Sequence, residues 1–331
     1  MREGKSVKRV THEKIIKKMK HQVLYACVLA FVTVLRTLPR RAALSIMRGM
    51  GWAAFYLMRS ARNRTLRHLT MAFGHEKSPS EIHRIARQVF LNMGAHAADA
   101  LRIPRIMQNG IHELITAEGF EQLDSLSTRN ESAILLTAHF GNWELLGAWG
   151  ARRGYKVKVI GAPQSNQWLD QMVVDARNAA GYQSITRGSN TRLIVRALTE
   201  GYFIGVLIDE DTKVDSVFVK FFNQWARTPA GPVRLARKYG LKIIPAFIHL
   251  MSDDTYRVQV KNPLPLVFTG DKRRDLIVNT QMCSDACEAV IRKHPDQWLW
   301  MMRRWKNQPI GESLKECERN LEESVSQSPA G

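Results

Sequence analysis

From residue 133 onward, short apolar runs alternate with stretches whose apolar side chains recur every three or four positions. The runs AILLTA (133–138), YKVKVIGA (155–162), QSIT (183–186), YFIGVLID (202–209) and LKIIPAFIHL (241–250) read as strands, with TYRVQVKNPL (255–264) as a partner strand. Between them, NWELLGAWGARRG (142–154), QWLDQMVVDARNAAG (167–181), NTRLIVRALTEG (190–201) and TPAGPVRLARKYG (228–240) read as helices. Gly154, Gly181 and Gly240 close three of these where the chain needs a left-handed residue. A further helix is expected over DLIVNTQMCSDACEAVIRKH (275–294). This order predicts an α/β protein whose sheet is covered by helices on both faces. Upstream, Ser78, Pro79 and Glu81 form an N-cap, a first-turn proline and a capping box, so a helix starts there. Ile82, Ile85, Ala86, Val89 and Phe90 give it an apolar face.

The N-terminus follows another pattern. A Lys/Arg-rich stretch leads into the apolar run VLYACVLAFVTVL (23–35), which ends in RTLPRR and carries no small-residue cleavage site. As a helix this run rises about 20 Å, short of the roughly 30 Å hydrocarbon core. A second apolar patch, GMGWAAFYLM (49–58), follows. Residues 23–58 are read as a membrane-embedded or interfacial anchor, with flanking Lys and Arg on anionic headgroups at the cytoplasmic side. The alternative is a buried helix pair with a basic tail. The polar, acidic stretch after Gly311 is expected to be poorly ordered. The chain therefore divides into a basic N-terminus with anchor helices (1–60), a main domain (61–310) and a tail (311–331).

Charge sharpens the choice of partner. Forty-nine Lys and Arg face thirty acids, a net charge of +19. The excess calls for an anionic partner: nucleic acid, an anionic membrane surface, an acidic protein or a phosphorylated substrate. No nucleic-acid motif is present and the aromatics are not set on strands as stacking platforms, which argues against nucleic acid. The four cysteines form no CxxC pair or zinc spacing and read as free thiols.

Candidate chemistry centres on AHFGNWE, 138–144. The strand AILLTA delivers His139 at its C-terminal end, where open α/β sheets bind ligands. On a helix, the five positions from His139 to Glu144 correspond to about 140° of rotation, so the two meet only if His139 precedes the helix. A carboxylate on one imidazole nitrogen would leave the other free to take a proton from a hydroxyl. The same layout also suits a helix-capping histidine with a solvated glutamate. Other chemistries fit worse, because GxSxG, Walker GxxxxGK[ST], HExxH and GxGxxG are all absent.

AHFGNWE resembles the H-x4-D/E block of membrane-bound acyltransferases, in the form used by the lipid A late acyltransferases of lipopolysaccharide synthesis. Four further blocks resemble that family in order. They are RTLRHLTMAFGHEKSPSEIHRIARQVFLNMG, APQSNQWLDQMVVDARNAAGYQSITR, LIDEDTKVDSVFVKFFNQWARTPAGPVRLARKYGLKIIPAF and QWLWMMRRWKNQP, spanning residues 64–309. Departures from the family pattern are Ala162 for the usual Arg, Asp209-Glu210-Asp211 for Asp-Gln-Asp, Lys220 before Phe221-Phe222, and Met302 where a His is usual.

The resemblance implies a glycerol-phosphate-acyltransferase-like mixed sheet and an O-acyltransferase that needs no metal or cofactor. His139 would be the general base and Glu144 its orienting acid. The implied donor is acyl-acyl carrier protein and the acceptor a phosphorylated, Kdo-bearing glycolipid at the inner membrane. The alternatives are an acyltransferase of the same superfamily acting on another glycolipid, such as a phosphatidylinositol mannoside, and a non-catalytic basic membrane-surface protein. Carry-over places Arg177 at the thioester oxyanion or an anionic group, and Asp209 at a substrate hydroxyl or basic side chain. A solvated helix face and a strand-end cap are the plainer readings of those two. Asn166 and Arg187, in the third block, are further substrate-binding candidates. So are Arg303 and Arg304, which beside Trp298, Trp300 and Trp305 are read as an interfacial anchor.

Overall fold

The computed structural model describes residues 19, 22–23, 25–163, 166–188, 191–312, 314–315 and 317–319. Residues 25–37 are helical. Helices α1 (Arg40–Leu57), α2 (Arg59–Phe73), α3 (Pro79–Leu101), α4 (Ile103–Asn109) and α5 (Ile111–Leu114) come next, then β1 (Ile115–Glu118) and α6 (Glu121–Thr128). The central run is β2 (Ala133–Thr137), α7 (Trp143–Arg152), β3 (Val157–Gly161), α8 (Gln167–Ala179), β4 (Gln183–Thr186), α9 (Thr191–Thr199) and β5 (Phe203–Leu207). It continues through β6 (Ser216–Phe221), β7 (Gln224–Pro229), α10 (Gly231–Tyr239), β8 (Lys242–Leu250), β9 (Tyr256–Val260) and α11 (Lys272–Lys293).

Seven strands form one sheet in the order β1-β9-β8-β2-β5-β3-β4. Neighbours pair in parallel except β8 and β9, so the expected mixed α/β sheet covered by helices is present. Strands buried on both faces must be apolar at every position. On β2, Ile134 and Leu136 join one core layer, while Ala133 and Leu135 pack into the other. Ile204 and Val206 on β5 follow the first layer and Phe203 the second.

The helix at residue 79 begins as its sequence requires, with both halves of the Ser78–Glu81 capping box formed. α1 crosses α3 closely at two glycines. A Cβ on Gly51 would stand 2.2 Å from the Phe90 carbonyl oxygen, and one on Gly94 2.2 Å from that of Met47. Arg40 holds the buried Asp99 through two hydrogen bonds and Arg48 pairs with Asp254, fixing α1 to α3 and to the turn after β8. α1 thus buries Ala43, Leu44, Met47 and Phe55, yet leaves Ile46, Met50, Trp52, Tyr56 and Leu57 exposed. Among the described residues no helix is long and apolar enough to cross a membrane.

Two elements depart from the sequence expectation. β6 and β7 form a separate antiparallel hairpin, so the stretch read as helix from residue 228 starts as strand and turns helical only at Gly231. Its turn residues Phe222 and Asn223 both have positive φ, 51° and 58°. A phenylalanine there hides the usual turn signal. In the tail, residues 312, 314–315 and 317–319 are helical, and 320–331 lie outside the described residues.

Candidate active site

β2 and β5 lie side by side in parallel, with Ile134 opposite Ile204 and Thr137 opposite Leu207. Continuing that register two residues past each strand sets His139 opposite Asp209. There the Asp209 carboxylate receives the His139 backbone N–H at 2.7 Å on Oδ2 and the ring Nδ1–H at 3.0 Å on Oδ1. Trp298 Nε1–H donates to Oδ2 as well, at 2.7 Å. Immediately after the histidine the chain turns at Gly141, whose φ is +56°. A Cβ there would lie 1.8 Å from the Ile248 carbonyl oxygen, so only glycine fits this turn. Asn142 then caps α7 by accepting the Leu145 N–H at 3.2 Å.

This geometry corrects the pairing expected for His139. Glu144 sits in the first turn of α7, but its carboxylate faces α8 and β4. Arg177 Nε donates to it at 2.8 Å and Nη2 makes a second contact, while Tyr182 donates its hydroxyl at 2.6 Å. Arg177 Nη1 also donates to Ser184 at 3.0 Å. Asp209, expected to meet substrate, instead holds the imidazole. Arg177, expected at an oxyanion, is committed to Glu144 and Ser184.

The two pairs carry different electrostatics. Burial opposes the charged form of His139, but the Asp209 charge and hydrogen bond outweigh it and raise the imidazole above its usual value. Burial likewise works against the Asp209 carboxylate, and the charge and hydrogen bonds of His139, with the Trp298 donor, still hold it below the usual range. Glu144 is also lowered, with burial overcome by Arg177 and Tyr182. Among the described residues, His139 Nε2 has no hydrogen-bond partner, while the Glu144 carboxylate is saturated.

His139 opens onto a cavity of about 510 Å³ between the sheet and helices α7 and α8. Half-buried Arg187 and exposed Glu210 both line it, with their charged groups 4.0 Å apart. Leu123, Trp149, Tyr155 and Val157 form buried apolar wall. The site therefore joins a histidine, an edge of mixed charge and an apolar recess. Ala162, where the family pattern has Arg, borders this cavity without adding charge.

The remaining candidates lie elsewhere. Asn166 accepts the Trp168 N–H at 3.0 Å at the start of α8 and does not line the cavity. Arg303 is exposed. Arg304 is buried, donating at 2.6 Å to both the Arg227 carbonyl and the Thr228 hydroxyl. Burial pushes its guanidinium down to about 10. Trp298 and Trp300 are buried too. The expected interfacial row of tryptophans and arginines is thus in large part a packed layer behind Asp209, because Trp298 turns its N–H inward to that carboxylate. Tyr182 and Trp298 are the supporting residues the sequence reading missed as partners. Among the described residues no cluster of three or more His, Cys, Asp or Glu is placed to hold a metal.

A histidine–aspartate pair thus stands at the ends of adjacent parallel strands, facing an apolar recess with an edge of mixed charge. The family model for bacterial lipid A biosynthesis acyltransferases matches residues 12–307, and the chain belongs to that family and is an acyltransferase. It is 23% identical over 279 residues to the phosphatidylinositol mannoside acyltransferase of Mycolicibacterium smegmatis, covering 82% of this chain and 88% of that one. The lipid A biosynthesis palmitoleoyltransferase of Escherichia coli is 25% identical over 208 residues, 61% of this chain and 65% of that one. A lipid A biosynthesis acyltransferase of Haemophilus influenzae is 20% identical over 292 residues, 86% and 88% of the two chains.

Proposed function

We propose that the protein transfers a fatty acyl group from acyl-acyl carrier protein to a hydroxyl of a phosphorylated glycolipid, a lipid A precursor, with His139 as general base and Asp209 as its orienting acid. The observation that carries this reading is the unpartnered Nε2 of His139, held by Asp209 at the edge of a cavity with apolar wall. Nε2 takes the acceptor's proton as its oxygen attacks the thioester carbonyl. Collapse of the tetrahedral adduct breaks the C–S bond, and His139 returns the proton to the departing thiolate. Asp209 fixes the ring tautomer and stabilises the imidazolium.

Arg187, bordering the cavity in a loose pair with Glu210, suits an anionic group of either substrate better than Arg177 does. The net charge of +19 favours both an acidic carrier protein and an anionic membrane surface. The exposed apolar side chains of α1 suit an interfacial seat on the inner face of the cytoplasmic membrane. The overall similarity to a phosphatidylinositol mannoside acyltransferase favours a second reading, with the same chemistry on a mannosylated lipid. Purified protein supplied with acyl-carrier-protein thioester and either a Kdo-bearing lipid A precursor or a phosphatidylinositol mannoside tests both. Acylation of the first supports the leading reading, acylation of only the second replaces its acceptor, and acylation undiminished by His139→Ala refutes the mechanism.

A further inference from the structure

Glu144 gives its hydrogen bonds to Arg177 and Tyr182 rather than to His139, but Trp143 meets both sides. The Trp143 indole stands 5.2 Å from the His139 imidazole, centroid to centroid, with the two planes at 73°. That is the edge-to-face arrangement aromatic rings prefer. Against its burial, Glu144 is held below the ordinary carboxylate range by Arg177 and Tyr182, and the Trp143 side chain adds one more hydrogen bond. Trp143 opens α7, and its backbone is fixed by the Asn142 cap and by the Gly141 N–H, which donates to the Gln297 carbonyl at 2.8 Å.

A second cavity, of about 150 Å³, lies between α3 and the turn after β2. Among the described residues, only His139, Trp143 and Glu144 line both it and the larger cavity. Asp209 lines neither, so the acid holds the imidazole from within the fold and the half-buried indole meets it on the open side. Asp209 gives the ring one hydrogen bond, from Nδ1–H to Oδ1 at 3.0 Å. One such bond fixes a point on the imidazole and leaves the ring free to tilt about it, because the torsion concerned has a broad minimum. The tilt swings Nε2, the nitrogen that must meet the acceptor's proton. The Trp143 indole blocks that swing.

An indole also turns about a broad torsion unless something pins it. Glu144 can do so because it is itself immobile: Arg177 Nε donates to it at 2.8 Å and the Tyr182 hydroxyl at 2.6 Å. Tyr182 reaches it because α7 carries glycine at 147, where a Cβ would come within 2.8 Å of the tyrosine ring. We propose that Trp143 is a positioning residue for the His139 base: the indole sets the direction of Nε2, and Glu144, held by Arg177 and Tyr182, sets the indole. The assignment rests on the acyl-transfer reading for its effect on rate, and on ring geometry alone for its effect on His139.

A double-mutant cycle on the full chain, with Trp143→Leu, Glu144→Gln and the two together, tests this at a temperature where every variant is folded by circular dichroism. Acyl transfer is assayed with the acyl-carrier-protein thioester and whichever of the two lipids accepts. In parallel, the His139 ring signals are followed by NMR in histidine-labelled protein. Trp143→Leu should lower kcat by about 10–100-fold, the cost of a misplaced reacting atom, without moving the acidic limb of the pH profile. Glu144→Gln should lower kcat about fivefold in the wild-type background but less than about twofold beside Trp143→Leu, because its route to His139 is already cut. Trp143→Phe keeps a ring against His139 and loses the N–H, so it should cost about what Glu144→Gln costs and make kcat equally indifferent to that second change. It replaces Trp143→Leu in the cycle if the leucine variant fails to fold. In each single variant the His139 signals should broaden through ring motion while their titration midpoint stays in place. Additive losses in the cycle, a shifted acidic limb in Trp143→Leu, or His139 signals as sharp in Glu144→Gln as in the wild type would each overturn the assignment. The expected broadening in a protein that transfers no acyl group would keep the positioning and remove the functional reading instead.

Discussion

Two buried ion pairs flank the turn after β2, and they do opposite jobs. In the His139–Asp209 pair the acid uses both oxygens on backbone, ring and indole donors, leaving the far ring nitrogen bare. In the Glu144–Arg177 pair both partners are closed off, with the acid shared by Arg177 and Tyr182 and the guanidinium also bonded to Ser184. The first can take up and release a proton at its free ring nitrogen. The second cannot, because Glu144 is lowered and Arg177 raised, each against burial, by the other partner. A charged pair beside an active site is thus catalytic only if it leaves an exchangeable atom facing substrate. Glu144–Arg177 instead ties α7 to α8 and to β4, forming one side of the larger cavity.

Substitutions that break one pair and spare the other sharpen this contrast. His139→Ala should lower kcat by about 10³–10⁴-fold, the upper part of the range for a positioned general base, and should also lower the thermal midpoint, because the buried Asp209 carboxylate loses its ring partner. Asp209→Asn should cost about 10²-fold in kcat/KM, because the amide can no longer stabilise the imidazolium. Glu144→Gln should chiefly lower stability, by about 2–4 kcal/mol in chemical denaturation, since it strands the half-buried Arg177 guanidinium. Its kcat should fall less than that of Asp209→Asn. Trp298→Phe keeps most of the packing and removes one donor to Asp209; a cost of about 1 kcal/mol, or fivefold in kcat, is expected from steady-state assays.

The pairs also differ in pH response. His139 is raised in the folded protein, so its contribution to stability is complete below the ordinary histidine value and is lost as pH rises through the folded value. With His139 as the proposed base, activity needs the neutral ring and should rise over the same interval. Asp209 and Glu144 are lowered, so their contributions hold above the ordinary carboxylate values and fade as pH falls toward the folded ones.

Apart from the β6–β7 hairpin, the strands and helices from 133 to 250 were legible because each carries its own period and its own stop, as with Gly154, Gly181 and Gly240. His139 was legible too, since a strand end followed by a glycine turn is a local pattern. Its partner was not. Glu144 is five residues away in sequence and Asp209 seventy, and proximity along the chain favoured the wrong acid. Only the parallel register of β2 and β5 brings Asp209 level with His139. Trp298 and Arg304 misled for a related reason: aromatic and cationic residues side by side suit a membrane interface or a buried layer equally, and the choice is made by distant partners such as Asp209 and Thr228.

The central claim is that Asp209, and not Glu144, sets the protonation of the His139 base. The most direct measurement is the acidic limb of the kcat/KM–pH profile for the wild type, Asp209→Asn and Glu144→Gln, read beside the His139 imidazole resonances over the same pH range. The wild-type limb should lie above the ordinary histidine value. Asp209→Asn should move it, and the His139 titration with it, to lower pH, while Glu144→Gln leaves both in place. A titration that shifts in Glu144→Gln and stays put in Asp209→Asn would contradict the account.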